Sequence, residues 1–262
     1  MNNHTFVIPA YKESPYLEAC IQNLLAQTHK SEIIICTSTP SAYLKNLADK
    51  YQLSYLINPL DKGSIAIDWN FALAQAKTKY ATIAHQDDIY HPDYTKSLMR
   101  HLQKDENVTI AFTNYSDLVN GKLISGSLNK FVKQVLLSPF LIKTNINHPF
   151  VKKMVLSFGS PICCPTVTYH KEKISGFKFS DEYVVALDWY AWLQLAKMKG
   201  SFLYVNKDLV KHRIHLESET TAQLSNGKRK KEEQQILQII WGKRLAKIIA
   251  YFYAYGHKAN NV

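Results

Sequence analysis

The stretch Tyr80-Ala81-Thr82-Ile83-Ala84-His85-Gln86-Asp87-Asp88 decides how this chain folds. Its first part is a short apolar run that reads as the end of a buried strand. Two adjacent carboxylates at such an end point to a site, because Mg²⁺ and Mn²⁺ take one or two protein carboxylates and complete their shells with water and substrate phosphate oxygens. In open α/β sheets, ligands gather at the carboxyl ends of the strands, where this cluster falls. The residues alone leave a blander reading open, in which Asp88 caps a turn and Asp87 is solvated.

Working outward, elements of two periods alternate. Thr5–Ile8, Glu32–Cys36, Ser54–Ile57, Tyr80–Ala84 and Val108–Thr113 read as strands. Pro15–Ala26, Ser41–Tyr51, Ser64–Ala76 and Pro92–Gln103 read as helices between them. Strand and helix in alternation mean a mostly parallel sheet with right-handed crossovers, flanked by helices. Further along, Asn120-Gly121 is a hairpin signal within Leu118–Ser125. Leu128–Phe140, Pro149–Ser157 and Val185–Lys199 read as helices, and Ser201–Val205 and Leu209–Ile214 as two strands.

With 262 residues and 46% hydrophobic content, the chain can bury a large core. The net charge of +11 implies an acidic partner. Basic residues concentrate between Lys228 and Lys247, and no RNP-type motif, paired Cys/His spacing or helix-turn-helix is present, so nucleic acid is not expected as a partner. Met1 to His4 lacks the pattern of a signal peptide, and Ile236–Tyr255 is interrupted by Lys243, Arg244 and Lys247. A cytoplasmic location is the expectation. Cys20, Cys36, Cys163 and Cys164 are expected to be reduced, and the adjacent last two to be buried thiols and not nucleophiles.

Phe6-Val7-Ile8-Pro9-Ala10-Tyr11 with Glu13, then Gly63 and Asn70, Gln86-Asp87-Asp88, Leu187-Asp188-Trp189, and finally Arg213 with His215 follow one another in an order that resembles the inverting family 2 glycosyltransferases. The resemblance spans Thr5 to about Thr221. It implies a GT-A fold, in which a Rossmann-like half that holds a nucleotide sugar (1–115) continues into an acceptor half (116–221). A basic amphipathic helical tail (222–262) would follow.

Residue by residue, the resemblance implies that Pro9, Ala10, Tyr11 and Glu13 line the nucleoside pocket, and that Gly63, Asn70, Gln86 and Arg213 belong to the donor site. It implies that Asp87 and His215 hold Mn²⁺ or Mg²⁺. His85 would contact ribose or a water, and Asp88 would either cap the Tyr90 or His91 amides or touch donor hydroxyls. Asp188 would be the general base, and the polar loop to Thr221 would close over the diphosphate. The chain departs from the family at three places. Thr37-Ser38-Thr39 stands where an acidic residue often follows the second strand, His85 replaces the first Asp of the metal motif, and Leu187 replaces a Glu.

The function expected is metal-assisted, inverting transfer of a sugar from a nucleoside diphosphate, a UDP-sugar ahead of a dTDP-sugar, to a hydroxyl of a glycan or lipid-linked glycan of bacterial type. The alternatives are a non-catalytic nucleotide-sugar-binding or assembly protein and, behind it, a basic nucleic-acid-binding protein. In the tail, Ile236, Leu237, Ile240, Trp241, Leu245, Ile248 and Ile249 recur at helical spacing beside the cationic residues. That helix, over 228–257, is expected to meet the inner face of an anionic membrane, a second copy of the chain, or the catalytic domain itself.

Overall fold

The computed structural model describes residues 3–60, 63–124, 128–215 and 227–259. Its centre is a ten-stranded sheet in the order β3-β2-β1-β4-β9-β6-β10-β5, with β7 added beside β6 and β8 beside β10. The first half follows the expected alternation closely: β1 (His4–Ala10), α1 (Leu17–Leu25), β2 (Glu32–Thr37), α2 (Ala42–Lys50), β3 (Ser54–Ile57), α3 (Ile65–Gln75) and β4 (Tyr80–Ile83). The Ser41 and Ser64 hydroxyls accept the amides of Leu44 and Ile67, which starts α2 and α3 where N-cap chemistry places them. β1 pairs in parallel with β2 on one side and with β4 on the other. The strand order therefore reverses at β1, and the crevice beyond the carboxyl ends of β1 and β4 is the switch point at which such sheets bind ligands.

After β5 (Ile89–Tyr90) and α4 (Tyr94–Leu102), β6 runs from Val108 to Val119, six residues beyond its expected end. It turns through Asn120 (φ 49°) and Gly121 (φ 78°) into β7 (Lys122–Ile124), and the two positive φ values are those of the tight turn that Asn-Gly favours. The expected helix over Leu128–Phe140 is two helices, α5 (Leu128–Leu136) and α6 (Pro139–Ile142), because Pro139 has no N–H to continue the first. β8 (Asn145–Ile146) and α7 (Pro149–Val155) follow.

β9 (Val167–His170) was not expected. It lies antiparallel between β4 and β6 at the middle of the sheet. All four of its residues are buried, so it shows no polar and apolar alternation. Inside, Thr168 Oγ1 meets Thr82 Oγ1 at 2.6 Å and Tyr94 Oη at 3.2 Å. α8 (Leu187–Lys197) precedes β10 (Ser201–Ile214), which is one strand where two were expected. The exposed Asn206-Lys207 pair that divides them in sequence is a register shift in a continuous β6–β10 ladder.

Apolar side chains fill both faces of the sheet. Phe6, Ile8, Ile33 and Ile35 pack with α1, α2 and α4, whereas Val7, Ile34, Ile83 and Phe112 pack with α3 and α8. The second face also includes Ile236, Leu237, Ile240 and Ala246 of α9 (Lys228–Ala259), a helix kinked at Gly242. Of the three expected contacts of the tail, packing on the catalytic domain is the one these residues make, and Trp241 adds an indole N–H bond to the Ser157 carbonyl at 2.8 Å. Their face is not free for a membrane or a second copy, whereas Leu245 and Ile248 are exposed. Among the described residues, no helix is long and apolar enough to cross a membrane.

Candidate active site

Beyond the end of β1, Pro9 and Ala10 complete the strand and Tyr11 and Glu13 are exposed. The Gln86 side chain ties this end to that of β4: its Oε1 accepts the Tyr11 amide and its Nε2 donates to the Tyr11 carbonyl, both at 3.1 Å. Lys12 adopts a positive φ of 55° and donates its amide to Thr39 Oγ1 at 2.6 Å, which joins the loop to the end of β2. The acid that the family often carries after β2 is missing from the sequence there, but α3 brings Asp68 to the same place. Asp68 accepts from Ser38 Oγ at 2.8 Å and from Asn58 Nδ2 at 2.9 Å. Gly63 lies against this pair, and a Cβ on it would sit 2.9 Å from Ser38 Oγ. Asn70 is placed elsewhere, since its amide is used in both directions on the backbone of Phe179, at 2.9 and 2.8 Å.

Past β4, donor atoms of His85, Asp87 and Asp88 lie within 4.8 Å of one another. His85 packs against Trp69 with ring centroids 5.1 Å apart, and burial pushes its pKa down to about 4, so its ring is neutral at pH 7. Asp88 is 1% exposed, and burial raises its carboxyl to about 7 despite the nearby His212 and the amide of Arg213. The amides named in sequence for Asp88 go elsewhere: His91 donates to the Leu209 carbonyl, and Tyr90 belongs to the β5–β10 ladder. Asp88 Oδ1 accepts from the Arg213 amide instead, at 2.8 Å. Among the described residues, Asp88 Oδ2 and His85 Nε2 are buried without a hydrogen-bond partner.

The end of β10 completes the cluster. Arg213 donates Nε to the Asp87 carbonyl at 2.9 Å, and His215 Nε2 lies 3.0 Å from Asp87 Oδ2. Both side chains pack on Tyr16, a residue that sequence reading missed: the Arg213 guanidinium lies 4.3 Å over its ring, and the His215 ring is 5.1 Å away. The only trace of Tyr16 in the sequence is an aromatic next to Pro15 at a helix start. Behind them, burial works against protonation of His212, but its bond to Asp117 at 3.3 Å and the charges of Asp88, Asp117 and Asp87 raise its pKa overall. The loop expected to close over a diphosphate, from Ser218 to Thr221, lies outside the described residues.

Asp188 stands in the first turn of α8. Burial raises its pKa, opposed by the Trp189 amide at 2.6 Å, by Lys133 and Arg229, and by Ser160 Oγ, which donates at 3.4 Å. The Cys163 and Cys164 thiols feel the charges of both Asp88 and Asp188, so both carboxylates lie near this short segment. All four cysteines are free, and burial pushes each thiol up, which leaves them unreactive.

Comparison with known proteins bears on the family and the fold. The sequence model of Glycosyl transferase family 2 matches residues 5–168. An uncharacterized glycosyltransferase of Rickettsia felis is 24% identical over 218 residues, which is 81% of this chain but 34% of that protein. The chain thus spans about a third of that relative. Among solved structures, S. aureus TarS 1–349 in complex with UDP-GlcNAc superposes with a TM-score of 0.67 at 15% identity, over 95% of this chain and 70% of that one. The mannosyltransferase PcManGT from Pyrobaculum calidifontis, in complex with GDP-Man and Mn²⁺, superposes with a TM-score of 0.62 at 13% identity, over 99% and 76%. At such identities these likenesses establish the fold, a GT-A architecture with a mostly parallel central sheet.

Proposed function

The chain belongs to glycosyl transferase family 2, and on that premise we propose that it moves a sugar from a nucleoside diphosphate to a hydroxyl of a glycan or lipid-linked glycan, with inversion and with the help of Mn²⁺ or Mg²⁺. The observation that carries this reading is the meeting of His85, Asp87 and Asp88 with Arg213 and His215 at the switch point of the sheet.

The residues suit a divalent ion. Two buried polar atoms of the cluster, Asp88 Oδ2 and His85 Nε2, have no hydrogen-bond partner among the described residues, and Asp88 Oδ2 lies 3.8 Å from His85 Nδ1. His215 Nε2 lies 3.0 Å from Asp87 Oδ2, so the two residues would be close enough to serve one ion. A mixed imidazole and carboxylate set favours Mn²⁺ over Mg²⁺. When bound, the cation supplies neutralising charge for the diphosphate. Arg213, fixed through Asp87, Asp88 and Tyr16, adds a second positive charge held in place before reaction. Asp188 takes the proton of the acceptor hydroxyl as its oxygen bonds to the anomeric carbon and the bond to the diphosphate oxygen breaks. A buried carboxylate of raised pKa is suited to that exchange.

On this reading, residues 1–115 hold the donor, 116–221 the acceptor, and Tyr11 and Glu13 border the nucleoside. A UDP-sugar is favoured over a dTDP-sugar, in line with the UDP-GlcNAc held by TarS. A cytoplasmic protein touching the inner membrane face through Leu245 and Ile248, beside Lys243, Arg244 and Lys247, accords with their exposure.

The test is calorimetric titration with UDP and Mn²⁺, followed by turnover of a panel of nucleotide sugars. Asp87→Asn should lose metal-dependent binding, and Asp188→Asn should bind normally and transfer about a hundredfold more slowly. Unchanged affinity in the first variant overturns the metal assignment. Selective donor binding without turnover in the parent protein supports the non-catalytic alternative.

A further inference from the structure

Phe150 and Met154 stand one turn apart on the outer side of α7, and Phe150 is 63% exposed, whereas Lys152 and Val155 of the same helix are buried. Just past the helix, the Phe158 ring packs on Trp241 of α9 with centroids 5.2 Å apart, next to the bond from the Trp241 indole to Ser157. Four and seven residues beyond Trp241, Leu245 and Ile248 are exposed as well, with Ala246 turned into the core. The apolar line on α7 therefore continues onto α9. α6 adds Leu141 and Ile142, the latter 93% exposed. It lies beside α7 on the sheet, since Phe140 packs on Tyr204 at 5.8 Å and the Lys152 ammonium lies 5.1 Å from the Phe202 ring centre. Phe202 and Tyr204 are two residues apart on one face of β10.

The start of α9 is anchored, so this surface is a fixed part of the fold. Glu232 accepts the amides of Val184, Val185 and Ala186 at 3.1, 2.8 and 2.9 Å, and Ile236 and Leu237 are buried. Charge decides what such a face meets. No Asp or Glu occurs between Asp117 and Glu172 or after Glu233, so every charged side chain that α6, α7 and the second part of α9 contribute is basic. Lys153 adjoins Met154, and Lys243, Arg244 and Lys247 stand among Leu245 and Ile248; all four are exposed. A face of one sign repels a second copy of itself and attracts a surface of the opposite sign. Exposed apolar side chains accompanied by Lys and Arg alone suit the interface of a bilayer that contains anionic lipids.

We infer that the protein docks on an anionic bilayer through α6, α7 and the second part of α9, and that the acceptor it meets there is carried on a lipid. The second clause rests on the proposed transfer reaction with Asp188 as base. A short span of chain joins the docking face to that residue. Ser160, two residues past Phe158, donates to Asp188 Oδ2 at 3.4 Å, and the indole of Trp189, next to Asp188, donates to the Leu156 carbonyl at 2.8 Å. An acceptor anchored in the bilayer is thus held at high local concentration near Asp188, which a glycan free in solution is not.

The experiment is flotation of the full chain with vesicles of phosphatidylglycerol and phosphatidylcholine in equal parts, and with phosphatidylcholine alone. Binding is expected to the first, about tenfold or more weaker to the second, and falling as salt is raised. Phe150→Ser and Ile142→Ser should each weaken it about tenfold and Lys153→Gln about fivefold, with affinity for UDP and Mn²⁺ unchanged. A parent protein that floats with neither vesicle, or variants in α6 and α7 that float like the parent, overturn the inference. So does a dimer in sedimentation equilibrium that Phe150→Ser disperses while vesicles are not bound, because the face then belongs to a second copy. For the acceptor, radiolabelled sugar should pass from the nucleotide donor into the organic-extractable lipid of bacterial membrane vesicles, and less so with Phe150→Ser. Label found only in water-soluble glycan overturns the lipid-borne acceptor. If the vesicles are bound as expected but Asp188→Asn transfers sugar at the parental rate, the docking face stands and the proposed base fails on its own.

Discussion

Asp88 accepts the backbone N–H of Arg213 at 2.8 Å across a separation of 125 residues. The bond joins the segment between the fourth and fifth strands to the end of the tenth. It fixes the Arg213 backbone against the metal-type cluster without using the guanidinium, which is left to stack on Tyr16 and to donate to the Asp87 carbonyl. The carboxylate that looks in sequence like the second member of an acidic pair is in the structure the anchor of a cation.

Tyr16 should therefore act through its ring face. Tyr16→Ala is expected to weaken UDP binding in the presence of Mn²⁺ by about three- to tenfold, the scale of one cation–π contact. Tyr16→Phe should bind like the parent protein. Calorimetry distinguishes the two variants, and an equal loss in both would assign the effect to the hydroxyl.

Lys152 is fully buried beneath the end of α8 and donates to the Met198 and Gly200 carbonyls at 3.0 and 2.8 Å. Burial lowers its pKa to about 8. Lys152→Met keeps the bulk and removes both donors, and should cost about 1–3 kcal/mol in urea unfolding. Unfolding at the parental midpoint would show that the carbonyls find other partners.

Gly200 has φ 112°, and a Cβ on it would meet the Asn107 carbonyl oxygen at 2.8 Å and Thr109 Oγ1 closer still. Gly200→Ala should destabilise by at least about 2 kcal/mol, since backbone strain and overlap add. Differential scanning calorimetry reads the loss. A variant melting with the parent would mean that the α8–β10 junction can shift.

His4 is buried between Ser31 Oγ and Thr82 Oγ1, both at 2.9 Å. Burial, with a smaller contribution from His29, lowers its pKa from 6.5 to about 3. In that window the unfolded chain takes up a proton that the folded chain refuses, so stability falls as the pH drops from 6.5 towards 3. At pH 5 the loss from this group is about 2 kcal/mol relative to neutral pH. Urea unfolding at pH 7 and pH 5 should show a smaller drop for His4→Gln than for the parent, and equal drops would remove His4 from the acid response.

The first half of the fold was legible because its strands and helices have clean periods and turn-forming ends. β9 was hidden because a strand buried on both faces carries no alternation, and Thr168 and His170 look polar in sequence although they are buried. The strand-end residues of the site, Tyr11, His85, Asp87 and Asp88, could be picked out because chemistry-bearing side chains interrupt an apolar run there. Tyr16 and Asp68 could not, because each makes its contacts with residues distant in sequence. Nor does anything local mark Glu232, a glutamate in a basic helix, as the partner of amides 46 to 48 residues earlier.

The central place of β9 also bears on how the chain reaches this structure. The pairings among β1, β2, β3 and β4 all fall within the stretch from His4 to Ile83, whereas β4 pairs with β9 through Tyr80 and His170. The sheet cannot close across its middle until that loop has been drawn in, and the entropy of loop closure is spent before the pairing returns it. Folding should accordingly run at two speeds, with the nucleotide-side strands assembling early and the β4–β9 seam forming late. Until that seam forms, the edge of β4 next to the aspartates is open to strands from other chains.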